Sequence, residues 1–225
     1  PGLAATPFKA FGHGVIDGGA LAVDRARVES LDEQLAINGR LAGRDTQLSL
    51  EATDITLSTW FDAKAVPFPE LEHVYGAGRF RASAQAAMLT DLALSSGNLR
   101  FGGTMTWPVG KRETQLDLTA SGPDAAEAAQ VLGAGGMPAL PFQLSGRGSY
   151  SEKRLTVSDA ELTLGDQVIR LDGQLNASSG ATQAELGFSA ERVLPSAWLP
   201  DLDAFAPKLS PLSGGGKLRF SSDEL

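Results

Sequence analysis

The chain has no cysteine among its 225 residues, only two histidines, and aromatic side chains at 7%. The first absence excludes disulfides, thiolate metal sites and cysteine nucleophiles, while saying little about compartment. The second leaves few groups for metal ligation or for acid–base chemistry near neutral pH. Basic clusters are missing too: the formal net charge is −8 and no Lys or Arg run occurs, which argues against a nucleic-acid ligand, since phosphate binding needs gathered cations. The longest stretch without a charge, Ala128 to Gly146, is long enough to cross a bilayer. Gly133, Gly135, Gly136, Pro138 and Pro141 break it, so it is expected to be a loop between elements. No signal peptide is legible, and a first residue that is Pro1 reads as the start of a piece cut from a longer protein.

Catalytic motifs are equally scarce. There is no G-x-S-x-G, no H-x-H and no H-E-x-x-H. His13 and His73, with Asp17, Glu70 and Glu72 near them in sequence, lack ligand spacing and are expected as solvated residues in joints between repeats. Gly76-Ala-Gly78 and Gly133-Ala-Gly-Gly136 have no following Lys-Ser/Thr and are read as turns. Asp24, Asp54, Asp91, Asp159 and Asp172 are expected in or beside turns, where Asp caps its own backbone. No enzyme activity, metal or cofactor is expected.

What the chain does have is alternation. In LTVSDAELTLGDQVIRLDGQL, residues 155–175, the pairs Leu155 and Val157, Leu162 and Leu164, Ile169 and Leu171 stand two apart, which puts each pair on one face of a β-strand. Ser158-Asp159 and Gly165-Asp166 between them are turn residues. The same parity gives Leu48 and Leu50, Ile55 and Leu57, Leu92 and Leu94, Leu99 and Phe101, Leu116 and Leu118, Leu186 and Phe188. The partner positions are Ser, Thr, Gln, Asp and Arg, which face water.

The strand pattern recurs about every 65–70 residues, giving approximate repeats 8–73, 74–140 and 141–208 and the start of a fourth at 209–225. Phe11-Gly-His-Gly14, Tyr75-Gly-Ala-Gly78, Phe142-Gln-Leu-Ser-Gly146 and Ser213-Gly-Gly-Gly216 open the copies. Gly39, Gly103 and Gly173 follow at a near-constant offset, each between apolar residues, and mark a bulge or bend. Each copy closes on a segment of different period: Leu57 to Asp62, Asp124 to Leu132, and Arg192 to Leu199, with Trp60 and Trp198 at matching places. Pro123, Asp124 and Glu127 make the middle one a helix. Each repeat is therefore four or five strands and about one helical turn.

Three short helical segments are too few to cover roughly fifteen one-sided strands. Either the sheet folds on itself as a sandwich, or its apolar face stays partly open and is shielded by an apolar guest. Repetition favours the second, because a sheet that lengthens by copying keeps one cross-section. The expected fold is mostly β: an elongated, curved antiparallel β-sheet, a U-shaped groove of repeated strand modules with short interspersed helices. The groove lining is the set of apolar residues named above, from Leu48 to Phe188. An acyl chain fits such a lining, since a sixteen-carbon chain leaving water gains on the order of 12 kcal/mol with no polar contact.

Leu140-Pro-Phe-Gln-Leu-Ser-Gly146-Arg-Gly148, followed by L-x-V-x-x-A-x-L-x-L-G-x-x-x-I-x-L-x-G-x-L through Leu175, resembles the repeat of the AsmA-like family of bacterial envelope proteins, which includes the TamB-like and YhdP-like proteins. The resemblance implies a periplasmic region tethered to the inner membrane by an N-terminal helix in the full-length protein. It also implies a hydrophobic groove carrying phospholipid between inner and outer membranes in support of outer-membrane biogenesis. Two alternatives stand beside it. A structural or assembly factor would bind client outer-membrane β-barrel proteins through exposed strand edges. A carbohydrate-binding or enzymatic solenoid would need a ladder of aromatic and acidic residues, which Trp60, Trp107 and Trp198 do not form.

Overall fold

A strand that keeps one face apolar must change parity wherever its apolar spacing goes from two to three. In β10 (Arg154–Leu164) the apolar residues are Leu155, Val157, Ala160, Leu162 and Leu164, so the odd step falls between Val157 and Ala160. There the register with β11 (Gln167–Ser178) slips by one, from Val157↔Gly173 to Ala160↔Leu171. Asp159 takes a left-handed backbone, φ +55°. A β-bulge absorbs the extra residue and returns the apolar set to one face. Ser158-Asp159 is therefore not a turn: the two short strands expected around it are one strand, and the turn lies at Gly165-Asp166.

In the computed structural model the described residues are 7–56, 71–131, 136–151, 154–178, 181–198 and 210–223. The remaining strands are β1 (Lys9–Asp17), β2 (Ala20–Ser30), β3 (Glu33–Leu41), β4 (Thr46–Ile55), β5 (Val74–Ala82), β6 (Ala86–Ser96), β7 (Leu99–Pro108), β8 (Thr114–Gly122), β9 (Phe142–Ser151), β12 (Ala181–Val193) and β13 (Leu212–Asp223). Among the described residues thirteen strands, where the sequence suggested about fifteen for the whole chain, follow one another in sequence order as an antiparallel meander. β1 and β13 are its two ends, so the sheet is open. Helix α1 (Ala125–Val131) follows β8 and helix α2 (Pro195–Trp198) follows β12. Asp124 caps α1, its Oδ1 accepting the N–H groups of Ala126 at 2.8 Å and Glu127 at 3.2 Å. The expected first closing segment, with Leu57 and Trp60, lies outside the described residues.

The chain divides into two compact units, one holding β1–β7 and the other β8–β13. Bulges like that of β10 recur in both. Arg25, Asp91 and Arg192 sit at register slips with φ of +53°, +53° and +55°, and Asp54 does so at +56°. Each falls inside a three-residue apolar step: Val23–Ala26, Leu89–Leu92, Ala190–Val193 and Ala52–Ile55. Two of the freed backbone donors find side chains. The Arg25 N–H donates to Asn38 Oδ1 at 2.7 Å, and the Arg192 N–H to Ser213 Oγ at 3.1 Å. Asp24, Asp91, Asp159 and Asp172 are thus mid-strand residues and not turn residues, Asp54 is next to last in β4, and Gly76 and Gly78 lie within β5. Gly39 and Gly173 stand opposite Val23 and Val157, two residues before a bulge, while Gly103 stands opposite Leu92, just after one.

Ala125, Ala128 and Ala129 of α1 are buried, as are the small residues Gly78 and Ala160 inside β5 and β10; the larger buried side chains gather at strand ends. In the first unit Ile55 ends β4, Val74 and Leu99 begin β5 and β7, and Leu71 joins Ile55 and Val74 in a small cluster. In the second, Leu164 ends β10 fully buried and Gln167 begins β11 at 2% exposure. Gln167 Oε1 accepts the Leu194 N–H at 3.1 Å and the Trp198 indole N–H at 3.0 Å, tying α2 to the sheet.

Candidate functional site

Because of the bulges, the apolar side chains of each unit line up in rows across neighbouring strands. In the first unit Leu48 of β4 pairs with Phe80 of β5, Phe80 with Leu89 of β6, and Leu89 with Met105 of β7. A second row joins Ala52, Gly76, Leu94 and Phe101, and Leu50 lies between Ile37 and Gly78. In the second unit the rows run Ala120–Leu144–Leu162–Ile169–Ala190, and Leu116–Gly148, Val157–Gly173–Leu186–Leu218. Leu118 faces Gly146, Leu155 faces Leu175, and Leu171 lies between Ala160 and Phe188.

Every described residue of the expected lining is therefore on its unit's apolar face, but they differ in cover. Ile55, Leu99 and Leu164 are buried at strand ends and belong to the end plugs. Leu118 is exposed at 37%. Leu48, Leu50, Leu92, Leu94, Phe101, Leu116, Leu155, Val157, Leu162, Ile169, Leu171, Leu186 and Phe188 are half-buried. Leu57 lies outside the described residues. A side chain in the middle of an ordinary sandwich core would be covered almost completely. Among the larger described side chains the middle of each face is covered only in part, while the small residues Gly78 and Ala160 there are buried.

The opposite face carries the charge. Arg79 of β5 and Arg147 of β9 lie at the strand position facing a bulge and pair with Asp91 at 3.4 Å and Asp159 at 3.1 Å. Arg219 of β13 pairs with Glu185 at 3.0 Å, and Arg170 with both Glu161 and Glu191. These exposed pairs contribute little stability each. A shallow hollow of about 290 Å³ lies among Asn38, Ser49, Glu51, Ala77, Arg79 and Asp91, also touching Leu50 and Gly78. Its Arg79 and Asn38 are already engaged, by Asp91 and by the Arg25 N–H, so no free polar set converges there.

One histidine is placed differently from expectation, and the other, exposed in the joint before β5, has a partner. His13 is not in a joint but in β1, opposite Asp24. His73 precedes β5 and its Nδ1 lies 2.6 Å from Asp54 Oδ1. The hydrogen bond to Asp54, then the charge of Asp54, raise the His73 pKa above its ordinary 6.5. A raised histidine pKa stabilises the fold fully below pH 6.5 and loses that contribution as pH rises through the higher folded value. In Asp54→Asn the His73 titration, followed by NMR, is expected to fall back toward 6.5. An unchanged midpoint would show that the contact does not persist in solution. Among the described residues no three His, Asp or Glu side chains gather as a metal site.

Comparison with protein-family models, with curated proteins and with solved structures finds no match to this chain. The chain is an open antiparallel meander, each of its two units having one apolar and one charged face.

Proposed function

We propose that the chain is a non-enzymatic segment of a periplasmic lipid-transport conduit, whose apolar sheet faces hold phospholipid acyl chains on their way between inner and outer membranes. The observation that carries this reading is the incomplete cover of the apolar rows: side chains such as Leu50, Leu171 and Phe188 face away from the charged side and are only half-buried. About 0.8 kcal/mol per buried methylene would favour an acyl chain lying there. A lining of similar Leu, Val, Ile and Phe wells gives a sliding chain low barriers and needs no catalytic residue. The resemblance to the AsmA-like repeat supports the same assignment, with an inner-membrane tether in the full-length protein.

The test is lipid extraction and native mass spectrometry on protein purified from bacterial membranes, for the parent chain and Leu118→Asp. Leu118 is already exposed, so the substitution spares the fold while placing a carboxylate on the lining. Desolvating an unpaired carboxylate against an acyl chain costs more than the roughly 1.4 kcal/mol of a tenfold change, so about tenfold less phospholipid should co-purify. Absence of phospholipid from the parent, or equal loading of the folded variant, would overturn the conduit. A second reading, an assembly factor for outer-membrane β-barrel proteins, draws on β13, exposed over residues 212–219. It expects a dry apolar face and capture of unfolded outer-membrane proteins.

A further inference from the structure

The strands of the first unit end on two margins of opposite charge. One margin is made by the β1–β2, β3–β4 and β5–β6 turns and the end of β7; it carries Arg40, Arg44, Arg81 and Lys111 against Asp17 and Asp45. The other, where β2–β3, β4–β5 and β6–β7 connect, carries Glu29, Asp32, Glu33, Asp54 and Glu72 against Lys9, His73 and Arg100. Arg79, in mid-strand, is held by Asp91, whereas Arg40, Arg44, Arg81 and Lys111 have no ion-pair partner among the described residues. Strands of nine to eleven residues set the two margins roughly 30 Å apart. Screening in physiological salt acts over about 8 Å, so an anion at the basic margin does not feel the acidic one.

The margins differ in cover as well. At the acidic one the apolar face ends in the buried cluster of Ile55, Leu71 and Val74. At the basic one it runs out uncovered: Leu41, in register with Leu21, is 39% exposed, and Trp107, opposite Ala87, is half-buried. An indole at the limit of an apolar face, with cations just beyond it, suits the boundary between hydrocarbon and headgroup, because the ring joins an apolar body to a polar N–H. We propose that this margin takes the phosphate of a phospholipid whose acyl chains lie on the first unit's apolar face, an inference that rests on the acyl-binding reading above. Arg44 lies just before β4 and Lys111 just past β7, three strand spacings or roughly 14 Å apart, so they meet separate phosphates along the margin instead of closing on one. A phosphate without a tail meets a single exposed cation and is not held. The acyl chain supplies the hold, and the cations set which way the lipid lies.

The test compares binding of phosphatidylglycerol, of diacylglycerol with the same acyl chains, and of inorganic phosphate to the parent chain. Phosphatidylglycerol should bind about tenfold more tightly than diacylglycerol in low salt, and the gap should narrow as salt is added. Inorganic phosphate should not bind at millimolar concentration. Arg44 and Lys111 are both exposed, so Arg44→Glu with Lys111→Glu spares the fold. The double variant should lose the tenfold preference and bind diacylglycerol like the parent. Arg100→Glu, at the acidic margin, changes net charge in the same sense and should keep the preference. Equal affinity of the parent for the two lipids, an equal loss in Arg100→Glu, or inorganic phosphate bound as tightly as the lipid would each overturn the headgroup assignment while acyl binding stands. Binding of neither lipid would overturn the acyl-binding reading, and this inference with it.

Discussion

Gly173→Ala is expected to destabilise the second unit by about 3 kcal/mol or more, whereas Gly165→Ala should cost only about 1 kcal/mol. Both glycines have positive φ, +145° and +55°, so conformation alone does not separate them clearly. Their surroundings do. A Cβ on Gly173 would lie 2.2 Å from the Glu185 carbonyl oxygen and 2.8 Å from the Leu186 Cα, both backbone atoms of the paired strand β12. Relief requires the ladder itself to move. At Gly165, in the β10–β11 turn, nothing lies within 4 Å, and alanine also restricts the unfolded chain, which offsets part of the strain. Urea unfolding at constant m-value reads the difference. Equal midpoints for the two variants would mean that β12 does not approach Gly173 as closely as described.

The role of that glycine was half legible in the sequence. Glycine between apolar residues, as in Leu171-Asp-Gly173-Gln-Leu175, pointed to a bend, and Gly39 occupies the same register in the first unit, with a Cβ position 2.1 Å from the Gln47 carbonyl. The bulge itself lies on the neighbouring strand, at Arg25 or Asp159, because the extra residue goes where a short polar or solvated side chain can adopt a left-handed backbone. Reading Ser158-Asp159 as a turn followed from composition alone. The apolar spacing carried the better signal: a step of three from Val157 to Ala160 inside an otherwise two-residue pattern demands one strand that resets its parity, whereas a true turn would free the parity altogether.

Which face is apolar was also legible, since alternation is local, and the described lining residues all share it. How covered each one is was not. Leu162 and Leu164 are indistinguishable by pattern, yet Leu164 is fully buried and Leu162 is half-exposed. The difference comes from residues distant in sequence: the backbone at Pro141 accepts the Gly165 N–H beside Leu164, and a short helix docks at the next strand's start. Periodicity carries no information on which end of a strand a later segment returns to.

The buried Gln167 makes that return testable. Its Oε1 accepts two N–H groups, from Leu194 and the Trp198 indole, and none of this is signalled by a lone glutamine after a Gly-Asp turn. Glu33 occupies the same place as the first residue of β3, where its Oε1 accepts the Thr56 N–H at 3.1 Å just beyond β4. The recurring requirement is thus an acceptor, with amide or carboxylate both admissible. Gln167→Leu keeps the volume but leaves two donors without their acceptor; at about 1–3 kcal/mol for each, softened by water at the partly exposed Trp198, the expected loss is about 3 kcal/mol. Gln167→Glu should retain most of the stability. Near-ultraviolet circular dichroism should also report release of Trp198 in the leucine variant before the strands unfold. If Gln167→Leu melts with the parent while Gln167→Glu does not, packing and not the acceptor holds α2, and the equivalence drawn with Glu33 fails.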